Sequence, residues 1–192
     1  MNAVVMNRGR IGRRNQKGIG LIELAISLAI AAGVLWGIFK VVGTVNAKRQ
    51  VSSLAQSTTM MGNDLRTKFS EQGNFAGLTT TTFIQLGIPP EELVTAANTL
   101  ETGFSTPMTV AAANINGVAN DGFAFTFSDF PAKSCGDFVM AVAPNFSRVT
   151  IGSTVVKNMG TGSNDPEITV ADLANCAGSN GVVSSIVLGQ GR

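Results

Sequence analysis

The sequence has no histidine and no tyrosine, a single tryptophan and only two cysteines among its 192 residues. Without histidine it lacks the commonest general base and metal ligand. Its carboxylates do not make up the loss, because Asp129, Asp137, Asp165, Glu167 and Asp172 are spread out. A hydrolase or transferase needs a nucleophile, a base and a charge-stabilising group together. No such constellation is present, so the chain is read as a non-enzyme that needs no cofactor and no metal. Asn164-Asp165-Pro166-Glu167 could contribute to a calcium site, but an exposed turn accounts for it better. Asn145-Phe146-Ser147 matches a glycosylation sequon, a pattern too short to carry weight.

Charge is scarce as well, at 14% of residues against 44% hydrophobic. That balance excludes a disordered protein. The net charge of +2 hides a division. Residues 1–18 hold Arg8, Arg10, Arg13, Arg14 and Lys17 and no acid, which leaves nine basic and twelve acidic residues, a net −3, in the rest. The basic excess therefore sits in a short leader and does not suggest a nucleic-acid partner. A basic segment before an apolar run holds an N-terminus in the cytoplasm.

That run, Ile19 to Phe39, contains no proline and one charge, Glu23. As a helix it is about 31 Å long, enough to cross a bilayer core. Gly33-x-x-x-Gly37 fits close helix approach in lipid, although glycine is common in such helices. An ordinary signal peptide would be shorter, with a small-residue cleavage site after it; no Ala-x-Ala follows at the right place. An ordinary single-span anchor explains the length but not Glu23. An ionisable group inside an apolar span costs up to roughly 2.5–3.5 kcal/mol at the helix centre. The positive end of the helix dipole lowers that cost near the start, yet the carboxylate still calls for a partner. A cut between Gly18 and Ile19 would create an α-amine one turn away.

Lys17-Gly18-Ile19-Gly20-Leu21-Ile22-Glu23-Leu24 resembles the processing site of type IV prepilins. The family pattern is a basic leader, a glycine before the cut, an apolar residue after it and a glutamate fifth in the mature protein. The resemblance implies that a prepilin peptidase cuts after Gly18, that Ile19 is N-methylated, and that Glu23 pairs with Ile19 of an adjacent subunit to set register. The same residues also begin like a dinucleotide-binding fingerprint, but no strand precedes them and the third glycine is missing.

Ala47, Val51, Leu54, Thr58, Met61, Leu65 and Phe69 recur at spacings of three and four, one stripe of an amphipathic helix. Gly73-Asn74 supplies a stop. One helix is therefore expected from about residue 20 to about residue 71, loosened if anywhere at Gly43 or Gly62. Beyond it, Thr80–Leu86 and Pro90–Ala97 read as helices and Met108–Ala113 as a strand. Gly122–Phe130 alternates with period two, and its Phe123, Phe125 and Phe127 read as core. Pro131–Val142 reads as a helix bearing Cys135, Arg148–Lys157 as a strand, Thr169–Cys176 as a short helix capped by Thr169, and Val182–Leu188 as the last strand. The expected class is α+β, an antiparallel sheet packed on the long helix.

Cys135 and Cys176 lie in the part that would be exported. An isolated pair there suits a disulfide better than a metal site; two buried thiols that never meet are the alternative. The resemblance favours the bridge, since pilins commonly carry one disulfide near the C-terminus around an exposed region. In the type IVb kind that region is large. An 18-residue leader, a 174-residue mature protein and Lys40 where type IVa helices often carry proline point the same way.

The expected organisation is a removed leader (1–18), a membrane-spanning and filament-core helix (19–43), an amphipathic continuation (44–72) and a globular head (73–192) with a disulfide-bounded region (135–176). The resemblance implies a precursor in the inner membrane, its leader cytoplasmic and its head periplasmic, then a surface filament for adhesion, bundling or conjugative contact. The implied partners are the prepilin peptidase, identical subunits, and an inner-membrane assembly platform with its ATPase. Three rivals remain at this point, one of them a minor or tip pilin, which low abundance in purified filaments would distinguish. A pseudopilin of a type II secretion system would favour a calcium cluster and no disulfide. A membrane-tethered binding domain would never polymerise and would tolerate Glu23→Val.

Overall fold

The computed structural model describes residues 20–96, 98–160 and 167–192. The protein divides into two compact units, residues 1–43 and 44–192. Helix α1, Leu21–Lys68, is one unbroken element. In the first unit every described side chain from Leu21 to Phe39 is exposed. Its most apolar window has a mean hydropathy of 2.1, and among the described residues this is the one helix long and apolar enough to cross a membrane. A helix is what such a run must form in lipid, where backbone groups have no other partner.

In the second unit α1 becomes one-sided. Val51, Leu54, Ala55, Thr58, Met61, Leu65 and Phe69 are buried, while Lys48, Arg49, Gln50, Gln56, Asn63, Asp64 and Arg66 are exposed. The expected stripe is the buried face from Val51 onward, while Ala47 at its start is only half-buried. Thr58 is admitted because its hydroxyl donates to the Leu54 carbonyl at 2.7 Å, so no polar group is left unsatisfied. Gly62 does not loosen the helix. The rings of Phe123 and Phe146 lie 3.6 Å from where a Cβ would stand, an ordinary van der Waals distance.

The stripe packs on a seven-stranded antiparallel sheet. Its strands are β1 Val94–Ala96, β2 Thr99–Glu101, β3 Pro107–Ala113, β4 Gly122–Pro131, β5 Arg148–Ile151, β6 Thr154–Asn158 and β7 Val182–Gly191, in the order β1-β2-β3-β4-β7-β5-β6. The last strand thus lies in the middle. Two short helices, α2 (Thr80–Gln85) and α3 (Ala132–Val142), complete the unit together with 3-10 turns. Phe123, Phe125 and Phe127 are fully buried. Ten of the eleven phenylalanines lie beyond residue 68, in two groups of touching rings. One runs Phe69–Phe75–Phe123–Phe125 and reaches Phe83 and Phe146; the other joins Phe104, Phe127, Phe130 and Phe138. With no tyrosine, phenylalanine supplies nearly all the aromatic mass of the core.

Four expectations change. Pro90–Ala97 is not a helix: a single 3-10 turn, Glu91–Leu93, leads into β1. Val94 and Thr95 are β-branched, and pairing of Val94 with Leu100 extends the sheet,. Arg148–Lys157 is not one strand but the hairpin β5–β6. Gly152, at φ 61°, opens a two-residue turn of the kind that requires glycine first. Thr169–Cys176 is a 3-10 segment at Asp172–Ala177, not an α-helix. β7 runs on to Gly191 rather than stopping at Leu188.

Those extra residues of β7 have a purpose in packing. Ile115, in the β3–β4 loop, is 3% exposed and fills a recess bounded by glycines. A methyl on Gly189 would come within 2.6 Å of Ile115 Cδ1, one on Gly160 within 2.5 Å of the Ile115 carbonyl, and one on Gly122 within 2.5 Å of Ile115 Cγ1 and into the Gln190 carbonyl. The loop is held there by Asp121, whose two carboxylate oxygens each accept from a backbone N–H, of Ile115 and of Asn116, at 2.7 Å. Arg148 donates from above to the carbonyls of Asn114 and Ile115.

Gly122→Ala is therefore expected to destabilise the fold by about 1–3 kcal/mol, because a backbone carbonyl blocks the new methyl. Gly189→Ala should cost less, since the obstructing Ile115 methyl can turn, and Ile115→Val should rescue Gly189→Ala but not Gly122→Ala. Urea unfolding of the detergent-solubilised single and double variants measures this; purely additive effects at both sites would contradict the recess.

Candidate functional site

Two regions carry the residues that the sequence marks out. The first is the start of α1. Gly18 and Ile19 lie outside the described residues. Glu23 stands in the first helical turn, its carboxylate exposed and the only acid there. The turn is closed by Glu23 N–H and Leu24 N–H donating to the Gly20 carbonyl at 2.9 and 3.1 Å. Ser27 returns its hydroxyl to the Glu23 carbonyl at 2.8 Å. An acid in this position complements the positive helix end and is surrounded along the helix by exposed Leu21, Ile22, Leu24 and Ile26. Gly33 and Gly37 have no atom within 4 Å of where a Cβ would stand, so that side of the helix is open to close approach.

The second region is bounded by Cys135 and Cys176, which are joined in a disulfide. The bridge ties α3 to the 3-10 segment Asp172–Ala177 and encloses the β5–β6 hairpin between them. Closing a loop of this length is worth roughly 4 kcal/mol in the loop-entropy account. Upstream of Cys176, Asp172 and Thr169 exchange bonds: the Asp172 carboxylate accepts from the Thr169 N–H at 2.7 Å and hydroxyl at 2.6 Å. The Thr169 hydroxyl, then its N–H, hold the Asp172 carboxyl below its usual range,. Thr169 thus caps the turn through Asp172 rather than as the first residue of an α-helix.

One residue of this region is not evident from the sequence. Lys157 on β6 is only 5% exposed. Its ammonium donates to the Ala143 carbonyl at 2.6 Å, at the C-cap of α3. A cation suits the negative end of a helix, so Lys157 fastens the hairpin to the helix that bears Cys135. The only sequence signal is its place in the apolar run Val155-Val156-Lys157.

A hollow of about 710 Å³ opens between α1 and α3, lined by Val51, Ala55, Met60 and Ala141 with Lys48 and Asp137 among its charged groups. Its lining also holds the hydroxyls of Ser52 and Thr59, and that of Thr59 donates to the Ala55 carbonyl at 2.9 Å. Among the described residues no three His, Cys, Asp or Glu side chains come together as a metal site. Of Asn164–Glu167, only Glu167 lies within the described residues, and it is exposed.

A long helix, apolar outside and one-sided inside, laid on an antiparallel sheet with a disulfide-bounded C-terminal region, is the fold of a type IV pilin. The family model described as PilS N terminal matches residues 48–187, and the chain belongs to that family. No curated protein matches the sequence significantly. Among solved structures the protein is similar to TcpA, a type IV pilin from Vibrio cholerae El Tor biotype, at 17% identity and a TM-score of 0.57, over 74% of this chain and 99% of that one. It is also similar to a type IVb pilin from Salmonella typhi, at 17% identity and a TM-score of 0.50, over 71% of this chain and 97% of that one. At such identity the likeness is one of fold, and with the family match it supports a structural subunit of the type IV pilin kind.

Burial lowers the pKa of Lys157 below its ordinary 10.5,. Between that lowered value and 10.5 the unfolded protein binds more protons than the folded one, so stability should rise with pH across that window. Lys157→Met should flatten the rise. Urea unfolding of both proteins from neutral to alkaline pH tests it, and parallel profiles would rule the account out.

Proposed function

We propose that this chain is the precursor of a pilin that is cut between Gly18 and Ile19 by a prepilin peptidase, N-methylated at Ile19 and polymerised into a type IVb surface filament. The observation that carries the reading is the first part of α1, Leu21–Phe39: an apolar stretch with every side chain exposed and one carboxylate, Glu23, in its first turn. As a bilayer span it is tolerable; outside lipid that much apolar surface must be covered. Identical subunits cover it when residues 19–43 gather into a filament core. The polymer is a head-to-tail stack that does not close.

Glu23 sets the register. Its carboxylate takes the methylated amine of Ile19 from a neighbouring subunit, since methylation leaves that amine able to carry its charge. A charged pair in an apolar core is far more tolerable than either charge alone. The precursor waits in the inner membrane with residues 1–18 in the cytoplasm and residues 73–192 in the periplasm. An assembly platform and its ATPase supply the work. The filament then meets other cells and surfaces through the region within the disulfide, where Met140, Val155, Met159 and Val170 are at least half exposed. Adhesion, bundling or conjugative contact follows from that surface. The disulfide between Cys135 and Cys176 favours this reading over that of a secretion pseudopilin.

Intact-mass and N-terminal peptide mass spectrometry of protein sheared from cells should find a subunit beginning at N-methylated Ile19. Glu23→Val should abolish filaments while the cut subunit still accumulates in the membrane. A subunit that keeps residues 1–18, or normal filaments from Glu23→Val, would overturn the proposal.

A further inference from the structure

The sequence contains two Asn-Gly steps, Asn116-Gly117 and Asn180-Gly181, and the fold places them in opposite surroundings. Asn180 and Gly181 are the two central residues of a turn closed by the Val182 N–H on the Ser179 carbonyl at 3.2 Å. Both have positive φ, 56° and 80°, the backbone that a two-residue turn of this hand demands and that Asn-Gly accepts most readily. The whole turn from Gly178 to Val182 is exposed. Asn116 is instead half-buried. Its N–H is bound by Asp121 at 2.7 Å, and its amide nitrogen lies against Gly191, 2.5 Å from where a Cβ there would stand.

We propose that Asn180 is a site of spontaneous deamidation and that Asn116 is protected from it by the fold. The step needs only water. The backbone nitrogen of Gly181 loses its proton and attacks the Cγ carbonyl carbon of Asn180; the Cγ–Nδ2 bond breaks and ammonia leaves with that proton. The five-membered imide that remains is then opened by water at either carbonyl, giving aspartate or isoaspartate. Glycine at the following position leaves the attacking nitrogen unobstructed, since it has no side chain. Asn180 is exposed. At Asn116 the attack would require the loop to leave Asp121 and Gly191.

The consequence follows from the position of the turn. Gly181 gives its carbonyl to the Ala132 N–H at 2.9 Å, the first residue of α3, and the next residue begins β7, an interior strand paired on both sides. The isoaspartate product routes the backbone through the former amide carbon and lengthens it by one atom within a two-residue turn. That shift breaks the Ser179–Val182 closure and the bond to Ala132, so that an old subunit becomes loosened between Cys176 and Val183 and carries one more negative charge on an exposed tip.

The test uses the full-length protein in detergent, held at mildly alkaline pH and sampled by peptide mass spectrometry, with a parallel sample unfolded in denaturant. In the folded protein, amide-to-acid conversion at Asn180 should outrun that at Asn116 by at least about tenfold, a barrier difference of about 1.4 kcal/mol. In denaturant the two should convert at similar rates. Aged folded protein should also gain a protease-sensitive site between Cys176 and Val183 that Asn180→Asp, which leaves the backbone length unchanged, does not create. Equal rates in the folded protein, or conversion at Asn116 first, would overturn the proposal.

Discussion

Everything in the second unit depends on one face of α1 being buried. Val51, Leu54, Met61, Leu65 and Phe69 meet the sheet where Phe123, Phe125 and Phe127 rise from β4, and the rings of Phe123 and Phe146 pack over Gly62. Burying side chains of this kind is worth about 1.5–3 kcal/mol each, and it also fixes which way the helix is turned. The period-two alternation of β4 then decides the rest. With its phenylalanines committed to α1, Ala124, Thr126 and Ser128 must face outward. Gly122 falls on that same outward side, which is where Ile115 finds its recess.

The sheet order makes the assembly of this unit a long-range problem. β7 comes last in the sequence but lies between β4 and β5, so the central pairing must wait for the end of the sequence. The outer strands cannot substitute for it. β1 and β2 are three residues each, and beyond β2 the edge of β3 is completed by other means. The Thr80 hydroxyl engages both the N–H and the carbonyl of Val110, and the Ala112 N–H reaches the Leu78 carbonyl. Those contacts seal a ladder that would otherwise present unpaired backbone groups.

What the sequence disclosed and what it withheld divide along the range of the interactions. The long helix and its buried stripe, the alternation of β4, the helix bearing Cys135 and the α+β class are all local periodicity, and all are present. Glu23 stood out for the same reason, as one charge in an apolar run. The strand β1 was hidden because Pro89-Pro90-Glu91-Glu92 starts a helix well by local rules, while pairing with β2 is a tertiary matter. Gly152-Ser153 did carry a turn signal, and two β-branched flanks of one long run obscured it. The end of β7 could not be read, because Gly189 and Gly191 resemble strand terminators until Ile115 is known to need the space. Lys157 gave almost no sign, since a buried lysine is made tolerable by a helix end fourteen residues away.

The disulfide answers the topological problem, and its position shows how. The final rung of the central pair joins Pro131 of β4 to Val182 of β7, residues separated by α3, the β5–β6 hairpin and the 3-10 segment. Cys135 lies four residues after that rung and Cys176 six before it. Once the bridge forms, the two strands are connected by a short detour through sulfur instead of the whole intervening segment. The closure entropy of pairing them falls accordingly, because that cost grows with the number of residues between the partners. The intervening residues are at the same time released from any duty to hold β4 and β7 together. They stay attached at their two ends, to β7 through the pairing of β5, and to α3 through Lys157, and the rest of the region is left to present a partly apolar surface without weakening the pairing of β4 with β7.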